Sequence, residues 1–405
     1  MEKGKGEIIA DMHIHSRFSR ATSKNLTIPN LVKYGKIKGI NLLGTGDFTH
    51  PLWLKELKQL KSNGKGVYYH EDFPFIISGE ISLIYTQERG RRIHLVILVP
   101  SFEIADKINA YLDTKGRRDY DGRPIFKIPG DVFVKDLKEI SDDIEIIPAH
   151  IWTPWFGMLG SMSGFDSLKE CFKEQTDKIY AIETGMSSDP AMNWRLSQLH
   201  NKSIISFSDS HSYWPWRMGR EATIFSGDAD KIAYKDIIKQ IRENSFISTI
   251  ETSPAYGKYH YDGHRLCNFS CSPQETKRLK GICPKCGKPL VIGVENRVEA
   301  LADSKTKPKN AKPFYTVLPL HELIAMVKET ALGSKKSWEV YDALINEFGN
   351  EFNILLNAEK QELAKIDDKL ADVIMKNREG KINVKPGYDG EYGVATLSEK
   401  QTKLI

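Results

Sequence analysis

The chain has 405 residues, with 58 Lys+Arg against 53 Asp+Glu, 11 His, 5 Cys and 40% hydrophobic residues. That length accommodates one large domain of about 250 residues plus smaller modules, and the hydrophobic share excludes a wholly disordered or fibrous chain. No apolar run approaches the roughly 18 residues of a membrane span, and the Lys/Gly-rich start Met1 to Gly6 lacks the apolar segment of a signal peptide, so a cytoplasmic protein is expected.

Apolar runs at 7–14, 40–45, 75–85, 92–99, 144–149, 179–183 and 203–209 read as strands. Between them lie amphipathic, helix-period stretches: Pro29 to Lys38, Leu52 to Lys61, Glu103 to Asp113, Asp131 to Ile140 and Pro190 to His200. Strand alternating with helix predicts an α/β architecture built on βαβ units. Seven strands, with no Gly-x-Gly-x-x-Gly after the first, favour a closed barrel over a dinucleotide-binding sheet. This unit is expected over 1–250. Residues 251–302 hold four of the five cysteines, too few and too clustered for a disulfide framework, and leave Cys171 alone. A Lys/Pro-rich linker is expected over 303–318. Residues 319–405 read as mainly helical, with helices over Leu318 to Leu332, Trp338 to Phe348 and Asn350 to Asn377, and end in a strand and turn over Lys381 to Gly393.

The net charge of +5 says little until it is resolved by position. Lys277 to Lys312 carries ten Lys or Arg against three acids, an excess of seven, which leaves the rest of the chain near −2. Such a stretch suits a polyanion partner or, as plainly, a solvated linker.

The polar residues at the strand ends are the strongest signal. Asp11, His13 and His15 are spaced i, i+2, i+4 and share one face of an extended segment. Later strands bring Asp47, Glu80, His94, His150, Glu183, Asp209 and His211. One buried histidine is ordinarily a satisfied core residue; recurrence through seven strands favours metal ligands. In a (β/α) barrel the C-terminal strand ends share one mouth, and imidazoles with carboxylates buried there need cations. The mixed donor set suits Zn²⁺, Mn²⁺ or Fe²⁺, and Glu80 can bridge two ions. A polynuclear hydrolytic centre follows, with ions about 3.5–4 Å apart clamping a phosphate.

Cys267-x₃-Cys271-x₁₁-Cys283-Pro-Lys-Cys286-Gly is two short ligand pairs, and four thiolates make a closed tetrahedral zinc site. His264 ranks behind these four as a ligand. Metal binding would supply the folding energy of so small a module. With Lys277, Arg278, Lys280, Lys285 and Lys288 around it, the module is expected to grip phosphates; a purely structural role is the alternative.

Trp152, Trp155 and Phe156 follow His150, and Tyr213, Trp214 and Trp216 follow His211, either to stack on a base or to pack a long loop. Arg89, Arg91, Arg92, Arg117, Arg118 and Arg217 lie near the same loops, to hold phosphates or simply to face solvent. Tyr388 and Tyr392 in the terminal turn are further stacking candidates.

These motifs resemble the polymerase-and-histidinol-phosphatase (PHP) superfamily: Asp11-Met-His-Ile-His15, Ser78-Gly-Glu80, His94, Pro148-Ala-His150 and Ser208-Asp-Ser-His211. The resemblance implies a distorted (β/α)₇ PHP barrel. It implies one ion on His13, His15, Glu80 and Asp209, and a second on Glu80, His94 and His150. A third would sit on His211 with the residue of the second motif, while Asp11 and Glu183 stand behind the ligands. The second motif departs from the usual Thr-Asp-His: Gly44-Thr-Gly-Asp-Phe48 offers Asp47 instead of an imidazole, which suits a harder ion such as Mg²⁺ or Mn²⁺.

Ser16-Arg-Phe-Ser-Arg-Ala-Thr-Ser-Lys, Leu43-Gly-Thr-Gly-Asp-Phe-Thr-His-Pro, Trp152-Thr-Pro-Trp-Phe, the four-Cys insert and Pro386-Gly-Tyr-Asp-Gly together resemble the endonuclease Q family over nearly the whole chain. That resemblance implies a DNA-repair endonuclease that cuts 5′ to uracil, hypoxanthine, xanthine and abasic sites, leaving a 3′-hydroxyl and a 5′-phosphate. It implies structural zinc, Zn²⁺, Mg²⁺ or Mn²⁺ in the catalytic cluster, damaged DNA as partner alongside other repair or replication factors, and catalysis by Asp209, His211 and Glu80. A PHP-type small-molecule phosphoesterase and a non-catalytic DNA-binding adaptor are the competing readings.

Overall fold

The computed structural model describes residues 6–397; the start, Met1 to Lys5, and the C-terminal region beyond Leu397 lie outside them. Local sequence sets the element boundaries. Helix Ile28–Lys38 has a proline in its first turn, where the missing N–H costs nothing, and stops at Gly39 in the left-handed region, φ 94°. Ser101 and Ser167 cap helices Phe102–Asp113 and Leu168–Phe172 by accepting from the amides of Ile104 and Glu170.

Strands occupy all seven expected positions: Glu7–Asp11, Leu42–Gly44, Phe73–Gln87, Arg89–Val99, Glu145–Pro148, Ala181–Glu183 and Ser203–Ile205. The first three pair in parallel in that order. Arg89–Val99 pairs antiparallel with Phe73–Gln87 and with Glu145–Pro148, and Ala181–Glu183 runs parallel to Ser203–Ile205. Past the strand ends, the His15 amide donates to Ser210 O at 2.9 Å and the Ser210 amide to His13 O at 3.4 Å, which joins the first segment to the last. Each strand sends residues into one core, including Ile8, Leu42, Ile76, Val96, Ile147, Ala181 and Ile205. A second, larger core lies between the strands and the helices. Each large aliphatic side chain buried there contributes about 1.5–3 kcal/mol before conformational entropy is counted.

The βαβ expectation differs from the structure between 73 and 99. Glu88, at φ 62°, turns the chain straight back, so these two runs, with no helix-period stretch between them, form one long antiparallel hairpin instead of a βαβ unit. Glu80 and His94 consequently lie in mid-strand as a diagonal pair, since Glu80 faces Val96 and Ser82 faces His94.

Strand Ala222–Ser226 pairs antiparallel with Glu7–Asp11 and with Ser248–Glu251, which in turn pairs in parallel with Phe314–Thr316. The stretch read as a linker over 303–318 thus ends in a sheet strand, because the aromatic and β-branched triplet Phe-Tyr-Thr after Pro313 prefers a pleated, half-buried surface. The continuous helix expected over Asn350 to Asn377 is three: Glu351–Leu356, Lys360–Ile366 and Asp368–Arg378, the last opened by Asp367, whose carboxylate accepts from the Leu370 amide. With Leu320–Lys328 and Lys335–Phe348 they form the helical part, followed by the hairpin Asn383–Lys385 and Val394–Thr396.

A buried ion pair fastens this helical part to the α/β unit. Lys38 Nζ donates to Glu351 Oε1 at 2.6 Å and to Pro215 O at 2.7 Å, while Tyr341 Oη donates to Glu351 Oε2 at 2.9 Å. Among the described residues no helix is long and apolar enough to cross a membrane.

Glu251 gives a testable pH dependence. Its buried carboxylate accepts from Thr249 Oγ1 at 2.5 Å, Thr184 Oγ1 at 3.0 Å and Ser206 Oγ at 3.1 Å. Burial pushes its pKa from 4.5 up to about 8, against the pull of these hydroxyls and with help from Asp189. The folded chain therefore keeps a proton that the unfolded chain releases, and the neighbouring buried Glu221 is raised in the same sense, so stability falls as pH rises from 4.5 towards 8. Glu251→Gln is therefore expected to raise the melting temperature at pH 8 and to change it little at pH 5. A variant with the wild-type pH slope would exclude Glu251 as its source.

Candidate metal centre and its cleft

Three of the expected ligands sit on left-handed backbone at the ends of extended segments: Asp47 at φ 47°, His150 at φ 30° and Asp209 at φ 47°. Such conformations persist only where the surroundings fix them, and they cluster at functional sites. Close approach also fixes Gly122, where a Cβ would overlap the Asp47 carboxylate and Ser19 Oγ.

Two groups of donors converge. In the first, His13, His15, Glu80 and Asp209 bring one ligand atom each within 4.8 Å of one another. His15 Nε2 lies 3.3 Å from Glu80 Oε2 and 3.1 Å from Asp209 Oδ1; His13 Nε2 lies 3.6 and 3.5 Å from the same two oxygens. In the second, Glu80 Oε1 lies 2.6 Å from His94 Nδ1 and 3.0 Å from His150 Nε2, and these two nitrogens are 3.3 Å apart. Glu80 thus belongs to both groups, one oxygen to each.

Buried His13 Nε2 has no hydrogen-bond partner, although it faces two carboxylates. Burial works against a charged ring at His13, yet Glu183, Glu80 and Asp209 outweigh it and hold the imidazole well above its ordinary range. Burial likewise works against the Glu80 and Asp209 carboxylates, but the rings around them, with Arg123 at Glu80, keep both well below theirs. Carboxylates and imidazoles that each demand positive charge in a common space fit divalent cations, so this donor set passes the chemical test for metal binding.

The ligand rings are held from behind. Glu183 Oε1 accepts from His13 Nδ1 at 2.9 Å and its Oε2 from the His150 backbone amide at 2.8 Å, so one carboxylate fixes the His13 ring and the backbone that carries His150. Asp11 accepts from the amide of Ser208 at 3.0 Å, from Ser208 Oγ at 2.5 Å and from the Gly219 amide at 2.8 Å. It thereby anchors the segment that carries Asp209 and His211.

Asp47, expected at a third ion site, faces the back of His15. Its Oδ1 lies 3.0 Å from His15 Nδ1, and its Oδ2 accepts from the Ser16 amide, Ser16 Oγ and Ser19 Oγ at 2.6, 2.6 and 2.9 Å. With both oxygens committed, Asp47 supports His15 as Glu183 supports His13, and no group joining it to His211 forms among the described residues. His211 Nδ1 donates to the Asp209 carbonyl at 3.0 Å, and its ring lies 4.4 Å from that of His15.

The two donor groups open into a cleft of about 580 Å³ that takes in His94, His150, Asp209, His211, Trp155, Phe156, Tyr259 and Tyr392. Trp155 and Phe156 are therefore at the cleft, and Arg92 stands 6.0 Å from the Phe156 ring. Several of the other base and phosphate candidates lie outside it. Trp152 is fully buried, its Nε1 donating to Asn193 Oδ1 at 2.8 Å; the step Trp-Thr-Pro-Trp points one indole inward and the other to the cleft. Arg91 is buried, bonded to Glu170 Oε1 at 2.7 Å and laid 4.1 Å from the Phe165 ring, and Arg89 donates to Gly164 O at 3.0 Å. Trp214 stacks on Trp216 at 5.1 Å and packs against Trp338, joining the His211 loop to the helical part.

Arg123 emerges only in three dimensions. Its Nη1 donates to Glu80 Oε2 at 3.0 Å, and it lines the cleft. The one local signal for it is the Asp121-Gly-Arg-Pro124 turn, whose glycine lets the chain approach Asp47.

In the cysteine module the structure alters one ligand. His264, Cys267, Cys283 and Cys286 bring their donor atoms within 4.8 Å of one another, with His264 Nδ1 3.4 Å from Cys286 Sγ. Cys271, expected as the fourth thiolate, turns to Thr276 Oγ1 at 3.2 Å and packs with Phe269, Cys283 and Leu290 in a four-residue core. Burial opposes the Cys283 thiolate, but the amides of Lys285 and Cys286 point at its sulfur and bring its pKa below the ordinary thiol range.

Comparison with known proteins extends this picture. The family model of the MJ0043 C-terminal domain matches residues 319–381. Uncharacterized protein MJ0043 of Methanocaldococcus jannaschii is 34% identical over 71% of this chain, and the chain spans only 36% of that relative's length. Uncharacterized protein YqxK of Bacillus subtilis is 28% identical over 96% of this chain and 98% of its own. Among solved structures, the lesion-specific endonuclease PfuEndoQ from Pyrococcus furiosus superposes with a TM-score of 0.88 at 30% identity, covering 99% of this chain and 98% of that one. Endonuclease Q in complex with a 27-mer duplex carrying an abasic lesion at its active site superposes with a TM-score of 0.89 at 30% identity, covering 97% of each chain.

Proposed function

We propose that this chain, which belongs to the endonuclease Q family, is a DNA-repair endonuclease that cuts the phosphodiester 5′ to deaminated bases and abasic sites. The observation that carries this reading is the whole-chain likeness to a family member described with an abasic lesion at its active site, combined with a cleft whose floor is the Glu80 double cluster. His13, His15, Glu80 and Asp209 would hold one divalent ion, and Glu80, His94 and His150 another. When bound, such ions supply Lewis-acid charge for phosphodiester hydrolysis.

The chain's own residues supply proton handling, phosphate neutralisation and lesion reading. The Asp209 carbonyl accepts a hydrogen bond from His211 Nδ1–H, which leaves Nε2 as that ring's acceptor, and the Asp209 carboxylate is itself 29% exposed. Asp209 and His211 orient an attacking water and accept its proton. The water oxygen bonds to phosphorus as the P–O3′ bond breaks, and the leaving oxygen is protonated, giving a 3′-hydroxyl and a 5′-phosphate. Arg123, 26% exposed beside Glu80, is placed to offset charge on the reacting phosphate. A deaminated base differs from its parent by a keto oxygen in place of an amino group, so it must leave the stack to be read; Trp155, Phe156 and Tyr259 give the cleft aromatic walls for it.

The test uses end-labelled duplexes carrying uracil, hypoxanthine, xanthine, an abasic site or no lesion, with Mg²⁺ or Mn²⁺. A single nick 5′ to each lesion and none in undamaged DNA is expected. Release of nucleotides, or equal cutting of undamaged strands, would overturn the reading.

A further inference from the structure

The same cleft contains a patch of the opposite sign to its floor. Arg217, Arg220 and Lys258 line it together with Tyr392. The Arg217 guanidinium lies 5.2 Å and Lys258 Nζ 4.6 Å from the Tyr392 ring centre. Arg220 spends Nε and Nη2 on Ser208 O, at 3.2 and 3.1 Å, while its buried Nη1 has no hydrogen-bond partner. None of the three cations forms an ion pair among the described residues. Burial opposes ionisation of the Tyr392 phenol, yet Arg220, Arg217 and Lys258, with a direct contact from Arg220, bring it below its ordinary range.

Arg217 and Arg220 from the 212–221 loop and Lys258 from the turn after Pro254–Tyr256 repel one another, and a buried unpaired donor is costly. The arrangement is stable against an anion. Donor groups that ask for cations lie in the same cleft, so a ligand engaging both must place one phosphate at the floor and another charge near Tyr392. A nucleotide within a strand carries a phosphate on each side.

Resting on the endonuclease reading above, we propose that Arg217 and Lys258, with Arg220 Nη1, bind the phosphate on the 3′ side of the lesion nucleotide. The extruded nucleotide is then held by both of its phosphates while its 5′ linkage is cut. Charge-assisted contacts of this kind change affinity by roughly tenfold or more.

The experiment measures kcat/KM for nicking of a uracil duplex by the full chain, with either the natural phosphate or a neutral methylphosphonate at the 3′ linkage. Wild type is expected to lose about tenfold on the neutral linkage, and R217A/K258A about tenfold on the natural one. Combined, the two changes should cost little more than either alone. R217K/K258R, which keeps both charges, should recover most of the natural rate and so exclude misfolding as the cause. Losses that multiply, or a wild type indifferent to the methylphosphonate, would overturn the proposal while leaving the endonuclease reading in place. A wild type that nicks no lesion duplex would remove both.

Discussion

Replacing Asp209 by Asn is expected to slow nicking of a uracil duplex by about a thousandfold, roughly 4 kcal/mol of transition-state stabilisation, while lesion-duplex affinity changes little. The reason is position. Asp209 lies at the exposed end of the first donor group, its Oδ1 3.1 Å from His15 Nε2, whereas Glu80 and the two histidines are buried beneath it. An amide of the same shape keeps the loop that Asp11 anchors at Ser208, but it removes the negative charge that offsets His13 and His15 and the acceptor that orients water. Metal stoichiometry should fall by about one ion per chain in the same preparation. Retained cleavage would remove Asp209 from the chemistry, and lost DNA affinity with retained metal would make it a binding residue.

The second large effect lies in the cysteine module. Its apolar core is four residues, two of them cysteines, and Leu266 beside Cys267 is 84% exposed, so packing alone does not hold the module together. A zinc ion held by His264, Cys267, Cys283 and Cys286 would supply much of the module's stability, such ions contributing about 10–16 kcal/mol in zinc-finger peptides. Cys283→Ser and His264→Ala are therefore expected to release zinc to a colorimetric chelator and to expose amides between 262 and 291 to hydrogen exchange. Cys271→Ser should retain zinc. If Cys271→Ser released the ion and His264→Ala did not, the four-thiolate arrangement would be the correct one.

This contrast shows where sequence reading stops. The spacing Cys267-x₃-Cys271 looks like a ligand pair, but Phe269 and Cys271 share one face of a short strand, and the two-residue period sends both into the same core. His264, on the strand opposite, is brought in by a hairpin that no local pattern announces. The candidate ligands were more legible. Asp11, His13 and His15 declare their common face by spacing alone, and each later strand carries its polar residue in its own segment. The supporting partners were not: whether Asp47 reaches an ion or the back of His15 depends on two serine hydroxyls across a loop. Arg123 contacts Glu80, 43 residues away in sequence, and only its place in the Asp121-Gly-Arg-Pro124 turn sets it apart from Arg117 and Arg118, which bond to Asp119 and Asp113. In the fold, alternation showed where strands fall, and the six residues between the runs 75–85 and 92–99, too few for a crossover, are the one trace in the sequence of the antiparallel turn at Glu88.

The buried contact between Lys38 and Glu351 bears on how such proteins can be recombined. The helical part reads on paper as a cassette, a contiguous stretch of sequence that a gene could gain or exchange. Yet its Glu351 neutralises a lysine on the first helix of the α/β unit, and that lysine also holds the carbonyl of Pro215, two residues before Arg217. Transplanting the helices without position 38, or inheriting position 38 without the helices, would strand a charge in the interior, a defect of about 3–5 kcal/mol. Exchange of the helical part is thus expected to need a matching change at position 38.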